Sequence, residues 1–162
     1  MSEVLQNLED NLKRQVTLYD ELNTLEGYKQ QALIKNNLQE IEVLTAQEEQ
    51  FLIAASQLEN ERLRWAEQIG IDLGKVPEDL TLAELAEHYP SLQGVRLDLD
   101  RAVKSLQEIH TMNAELLQQA MKVVEFTLGI LTHQEKNTYS QHPSTKENEG
   151  PRNNLHFLDR RI

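Results

Sequence analysis

The side chains able to do chemistry are few and scattered. A zinc protease would carry His-Glu-x-x-His on one helix face; neither His88 nor His110 begins such a run. A di-iron bundle would place a Glu three residues before a His on two helices. The residues three before His88, His110 and His133 are Leu85, Gln107 and Ile130, so no such pair exists. Glu84 and His88 share a face at a spacing of four, which reads as a solvated pair on a short helix. Asp98-Leu99-Asp100 lacks the further acids, the Gly and the closing Glu of a calcium loop. There is no Gly-rich phosphate loop and no Gly-x-Ser-x-Gly elbow. Acid pairs such as Glu48-Glu49 fall in helical sequence, where a solvated face explains them. With no cysteine, disulfides and thiolate chemistry are excluded, as suits a reducing compartment. The expectation is a protein that is not an enzyme and carries no cofactor and no metal.

Composition narrows the partners. The chain has 162 residues and a net charge of −11. Such an acidic body repels both nucleic acid and anionic membrane. No apolar run approaches the ~18–20 residues of a membrane span, so no membrane insertion is expected. The start, MSEVLQNLED, has acids and no basic n-region, so no signal peptide is expected and a cytoplasmic location is. Gly (6) and Pro (4) are too few for a sandwich or an α/β enzyme, which need frequent turns.

The elements that would position any site are helices. Leu5, Leu8, Leu12, Val16, Tyr19 and Leu22 recur by three and four, which predicts a first helix over about residues 3–35. Asn36-Asn37 breaks it, and Asn37 with Glu40 resembles a capping box for the second helix. Ile41, Leu44, Glu48, Phe51, Ala55, Leu58, Arg62, Trp65 and Ile69 form its seam, and Gly70 is expected to end it. Glu48 and Arg62 interrupt that seam; each is expected to snorkel at the bundle edge or to pair with another helix. Thr81-Leu82-Ala83-Glu84 is a capping box that starts a short helix to about His88, which Pro90 stops. The last helix is predicted from about Ser91 to His133.

That last helix carries two stripes. One is Leu99, Ala102, Leu106, Ile109, Asn113, Leu116, Ala120, Val123, Thr127 and Ile130. The other is Ala114, Leu117, Met121, Val124, Leu128 and Leu131. Asn113 either fixes the register of the seam or marks a partner site. The second stripe either packs centrally between the first two helices or stays open for a partner's amphipathic helix. From Gln134 the chain turns polar and is expected to be disordered, although its end, LHFLDRRI, could order on a partner. The fold class is therefore all-α. It is an elongated antiparallel helical bundle of three long helices plus one short helix over residues 1–133, followed by a flexible polar tail over residues 134–162.

These residues resemble the FlgN-type flagellar export chaperones. The likeness runs through Lys29, Ala32, Leu33 and Ile34, the break Asn36-Asn37 and the restart at Leu38. It continues through Leu44, Glu48-Glu49, Leu52, Leu58-Glu59 and Arg62, then Asn113, Leu116 and Leu117, and finally Tyr139; it covers about residues 5–140. The resemblance implies a cytosolic chaperone. Such a protein binds the hook-associated proteins of the hook–filament junction, prevents their premature assembly and delivers them to the flagellar export gate. It implies a client site at Asn113, Leu117, Met121, Val124, Leu128 and Leu131, with Tyr139 as a gate contact. The residues alone leave open a structural coiled-coil scaffold that closes its seams against copies of itself as a homo-oligomer.

Overall fold

The structure, a computed structural model, describes residues 2–135. The side chains of Ser2, Pro77, His133, Gln134 and Glu135 are left out of that description. The polar segment from Lys136 onward, with Tyr139, lies outside the described residues. Four helices follow in order: α1 (Ser2–Ile34), α2 (Leu38–Leu73), α3 (Leu82–His88) and α4 (Leu92–Glu135), with a 3-10 turn at Pro77–Asp79. No strand occurs among the described residues.

Each boundary has a local cause. α1 closes with Asn36 in the left-handed region at φ 52°. The Asn37 N–H bonds back to the Ala32 carbonyl at 3.0 Å and the Asn36 N–H to the Leu33 carbonyl at 3.2 Å, a Schellman closure with Asn in the place of Gly. The Asn37 side chain then caps α2, accepting from the Glu40 N–H at 3.3 Å. α2 does not stop at Gly70. It runs one turn further, because Leu73 packs on the core and Gly70 stays helical; the left-handed residue is Gly74, at φ 65°. Ile71 and Asp72 of that turn are exposed, so the roughly 1 kcal/mol that a helical Gly costs is set against the partial burial of Leu73. At α3 both bonds of the capping box form between Thr81 and Glu84, each at 3.2 Å. α4 continues to Glu135, two residues beyond the expected end.

α1 packs against both α2 and α4. It is antiparallel to α2, since Asn11 meets Leu58 and Lys29 meets Glu48. It is parallel to α4, since Asp20 meets Arg101 and Glu26 meets Asn113. The path is up, down, across through α3, and up again. One core cluster sits at the α3 end and joins Leu8, Leu12, Ala66, Ile69, Leu80, Leu85, Leu92 and Val95. A second fills the middle and joins Leu18, Tyr19, Leu22, Leu25, Leu44, Ala55, Leu58, Ala102 and Leu106.

The helices differ in length, and the register makes that visible. From Glu26, α1 has eight residues left before Ile34; from its partner Asn113, α4 has 22 left before Glu135. At ~1.5 Å per residue the difference carries α4 roughly 20 Å past the α1–α2 hairpin. Every residue from Met121 to Thr132 is exposed.

Two leucines should therefore behave in opposite ways. Leu12 is fully buried and Leu128 is 54% exposed. Urea unfolding followed by helical circular dichroism is expected to show Leu12→Ala lowering stability by about 2–5 kcal/mol. Leu128→Ala is expected to change it by less than about 0.5 kcal/mol. A comparable loss at both positions would place Leu128 in the core.

Candidate functional site

The surface that stands out is the projecting part of α4. Leu117, Met121, Val124, Leu128 and Leu131 are between 42% and 56% exposed. From Met121 onward the second stripe is thus not enclosed between α1 and α2, because neither helix reaches it; Ala114 and Leu117 lie level with the last turns of α1, and Ala114 is half-buried. The first stripe also surfaces past Ala120: Val123 is 65% exposed and Ile130 49%. Phe126, on neither stripe, is 71% exposed. Between Met121 and Leu131 the only charged residues are Lys122 and Glu125. Soluble proteins seldom leave a contiguous apolar surface of this kind open unless something covers it. Sequence reasoning missed Phe126. The available signal was a large aromatic outside both stripes in a helix with few charges.

Asn113 is not part of this surface. It is 3% exposed. Its Nδ2 donates to the Glu26 carbonyl at 2.8 Å and to Glu26 Oε2 at 2.7 Å. Of the two roles open to Asn113, the structure places it in the first: it ties α4 to α1 in one register, and no partner can reach it while that tie holds.

Around this tie lies a polar node that the sequence did not reveal. Glu26 is buried. Lys29 Nζ sits 2.7 Å from Glu48 Oε2 and 3.8 Å from Glu26 Oε1. Glu48 therefore pairs with another helix, as expected. Glu26, Glu48 and His110 each bring one ligand-capable atom, and these atoms all lie within 4.8 Å of one another. One residue comes from each long helix, which is why no motif within a single helix pointed to them. Burial pushes the Glu26 carboxyl up to about 7, helped by its hydrogen bond with Glu48 and opposed by Asn113 and Lys29. Burial would raise Glu48 as well, but the hydrogen bond from Glu26 and the pairing with Lys29 outweigh it and hold Glu48 below its ordinary range. The pair thus shares a proton, with the charge resting on Glu48 beside the ammonium.

A second polar layer separates the two core clusters. Asn11 donates to the Leu58 carbonyl at 3.0 Å, and Gln15 donates to Asn11 Oδ1 at 2.8 Å. Arg62 does not snorkel to the bundle edge, and its ion pair is not with another helix. It is buried and pairs with Glu59 of its own helix. Burial and the Glu59 charge raise the nearby Tyr19 hydroxyl, so the phenol stays neutral.

Neither node holds a nucleophile beside a base, and the projecting face offers apolar contact without reactive groups. What the arrangement provides is a rigid stem and an open apolar arm. Compared with known proteins, the sequence matches the model of the family described as FlgN protein over residues 1–147. No curated protein matches. No solved structure matches.

The shared proton has a measurable sign. The folded state holds the Glu26 proton up to about pH 7, whereas an unfolded chain releases it near its ordinary value of 4.5. Between those values the folded state binds more protons, so this group's contribution falls as pH rises. Glu26→Gln keeps an oxygen for Asn113 and supplies an N–H for Glu48 at every pH. The variant is expected to gain roughly 1–3 kcal/mol over the parent at pH 8 and little at pH 5, measured by urea unfolding in EDTA. A parallel pH profile for the two proteins would rule out the shared proton.

Proposed function

The chain belongs to the FlgN family, and we propose that it is a cytosolic chaperone of flagellar export whose clients are hook-associated proteins. Membership of the family points to a flagellar export chaperone role. The observation that carries the finer reading is the apolar arm of α4, which stands clear of the bundle from Met121 to Thr132. An unassembled filament or junction subunit exposes amphipathic helical ends that would otherwise self-associate. A client helix laid along Leu117, Met121, Val124, Leu128 and Leu131 would bury both faces at once, in the helix-in-groove manner. The acidic body, at a net charge of −11 for the whole chain, keeps such a complex soluble. No described helix is long and apolar enough to cross a membrane. The role is binding rather than catalysis. Delivery to the export gate, with Tyr139 as the contact, is the second half of this reading.

The test is direct. The full chain is expected to form a stable 1:1 complex with a hook-associated protein of its host on size exclusion with light scattering. Replacing Leu117 and Leu128 together by Asp removes two anchors of about 1.5–3 kcal/mol each, so client affinity should drop by roughly 100-fold or more. The helical content and unfolding midpoint should not move. If the double variant unfolds, the stripe is core. If the protein is a stable homo-oligomer that ignores the client, it is a self-associating scaffold and the chaperone reading fails.

A further inference from the structure

The polar node at the base of the arm holds one buried atom that hydrogen bonding does not account for. Glu26 comes from α1, Glu48 from α2 and His110 from α4, and their ligand-capable atoms gather within 4.8 Å. Asn113 follows His110 by one turn on α4 and faces the same node through its contact with Glu26 Oε2. The other end of that amide, Oδ1, is buried and has no hydrogen-bond partner. Buried side-chain oxygens nearly always have a donor or an ion.

We propose that this node is an interhelical site for a divalent transition metal, zinc, with Glu26, Glu48 and His110 as ligands and the Asn113 side-chain oxygen as the fourth. Two carboxylates, an imidazole and an amide oxygen form a mixed N/O set of low coordination number. That suits zinc, whereas calcium wants six to eight oxygens and magnesium an octahedron rich in water. Zinc bonds to such atoms are about 2.0–2.2 Å long, so ligands on a tetrahedral ion lie closer together than the present 4.8 Å limit. Small side-chain rotations close that gap. Rotation of the Asn113 amide turns the unpaired oxygen toward the ion and releases the Glu26 oxygen to bind.

Lys29 is the built-in rival. Its ammonium now neutralises Glu48 at 2.7 Å, and its side chain is 16% exposed, so it can withdraw to water when an ion enters. Glu26 releases its proton to solvent as the ion binds, and the two carboxylates then balance the two charges of the metal. The result is one ion joining all three long helices at the last buried contact before the arm.

The experiment uses the full chain, stripped with chelator and titrated with zinc chloride by calorimetry, with calcium and magnesium chlorides as controls. One zinc per chain is expected, together with a higher unfolding midpoint that EDTA reverses. His110→Ala and His110→Gln should each weaken binding by at least about tenfold, since losing even an outer-shell partner of a metal ligand costs 10–100-fold. Lys29→Met should bind at least as tightly as the parent, because the competing charge is gone. A readout that needs no variant is the imidazole NMR signals. Those of His110 should shift on adding zinc while those of the exposed His88 stay in place. The proposal is overturned by no saturable uptake, by equal uptake of calcium, by unchanged affinity in both His110 variants, or by a Lys29→Met variant that loses binding.

Discussion

The bond from the Asn113 amide to Glu26 sets the geometry on which the rest of this molecule depends. It lies at the last place where α4 touches α1 through buried groups, and it allows one register only. A slip of α4 by one turn would leave the Glu26 carboxyl buried without its donor. A desolvated acid without a partner costs several kcal/mol, more than a turn of leucine packing can return. Because the register is fixed there, the unequal lengths of α1 and α4 become an unequal reach. The apolar arm thus follows from one polar contact plus the position of the Asn36 break.

The fold was legible in the sequence because its signals are local and repeated. The three-four spacing of leucines, Asn36-Asn37, and the Thr81–Glu84 capping box each act within a few residues, and each appears where expected. Gly70 misled because glycine marks a helix end only when the backbone turns left-handed, and that choice fell to Gly74 under the pull of Leu73 packing on the end cluster. Arg62 misled for a similar reason: a charged residue in a seam suggests an edge, but Glu59 one turn earlier lets it stay inside. The site was half legible. The two stripes on α4 were plain, yet whether anything covers them depends on where α1 stops relative to α4, a distance between elements that no local pattern encodes. The node of Glu26, Lys29, Glu48, His110 and Asn113 was hidden for the same reason, since its members come together only across three helices.

The division of labour is clear in chemical terms. The stem is held by two leucine-rich clusters with a polar layer between them, and its buried charged groups, Glu26, Glu59 and Arg62, each have an oppositely charged neighbour. From Met121 to Thr132 the arm has two charged residues and, among the described residues, no hydrogen bond to a neighbouring helix and no tertiary cover. For a chaperone of flagellar export this separation is useful. Residues of the arm can change or be covered without loosening the residues that keep the protein folded, because the two sets hardly overlap along α4. Leu106 and Asn113 are buried in the stem, whereas Met121 and Leu128 are exposed beyond it.

The unsupported stretch of α4 also has a thermodynamic character of its own. Its length, about 15 residues, is near the lower limit at which a lone helix persists in water. It includes Gly129 and the β-branched Val123, Val124, Thr127, Ile130 and Thr132, all weaker helix formers than Ala or Leu. Only its continuity with the stem nucleates it. Its amides are therefore expected to exchange with solvent sooner than those near Leu106, and warming is expected to unwind it before the stem. A partner helix laid along it, as proposed above, would also hold its backbone in shape, so occupancy and helicity there would rise together.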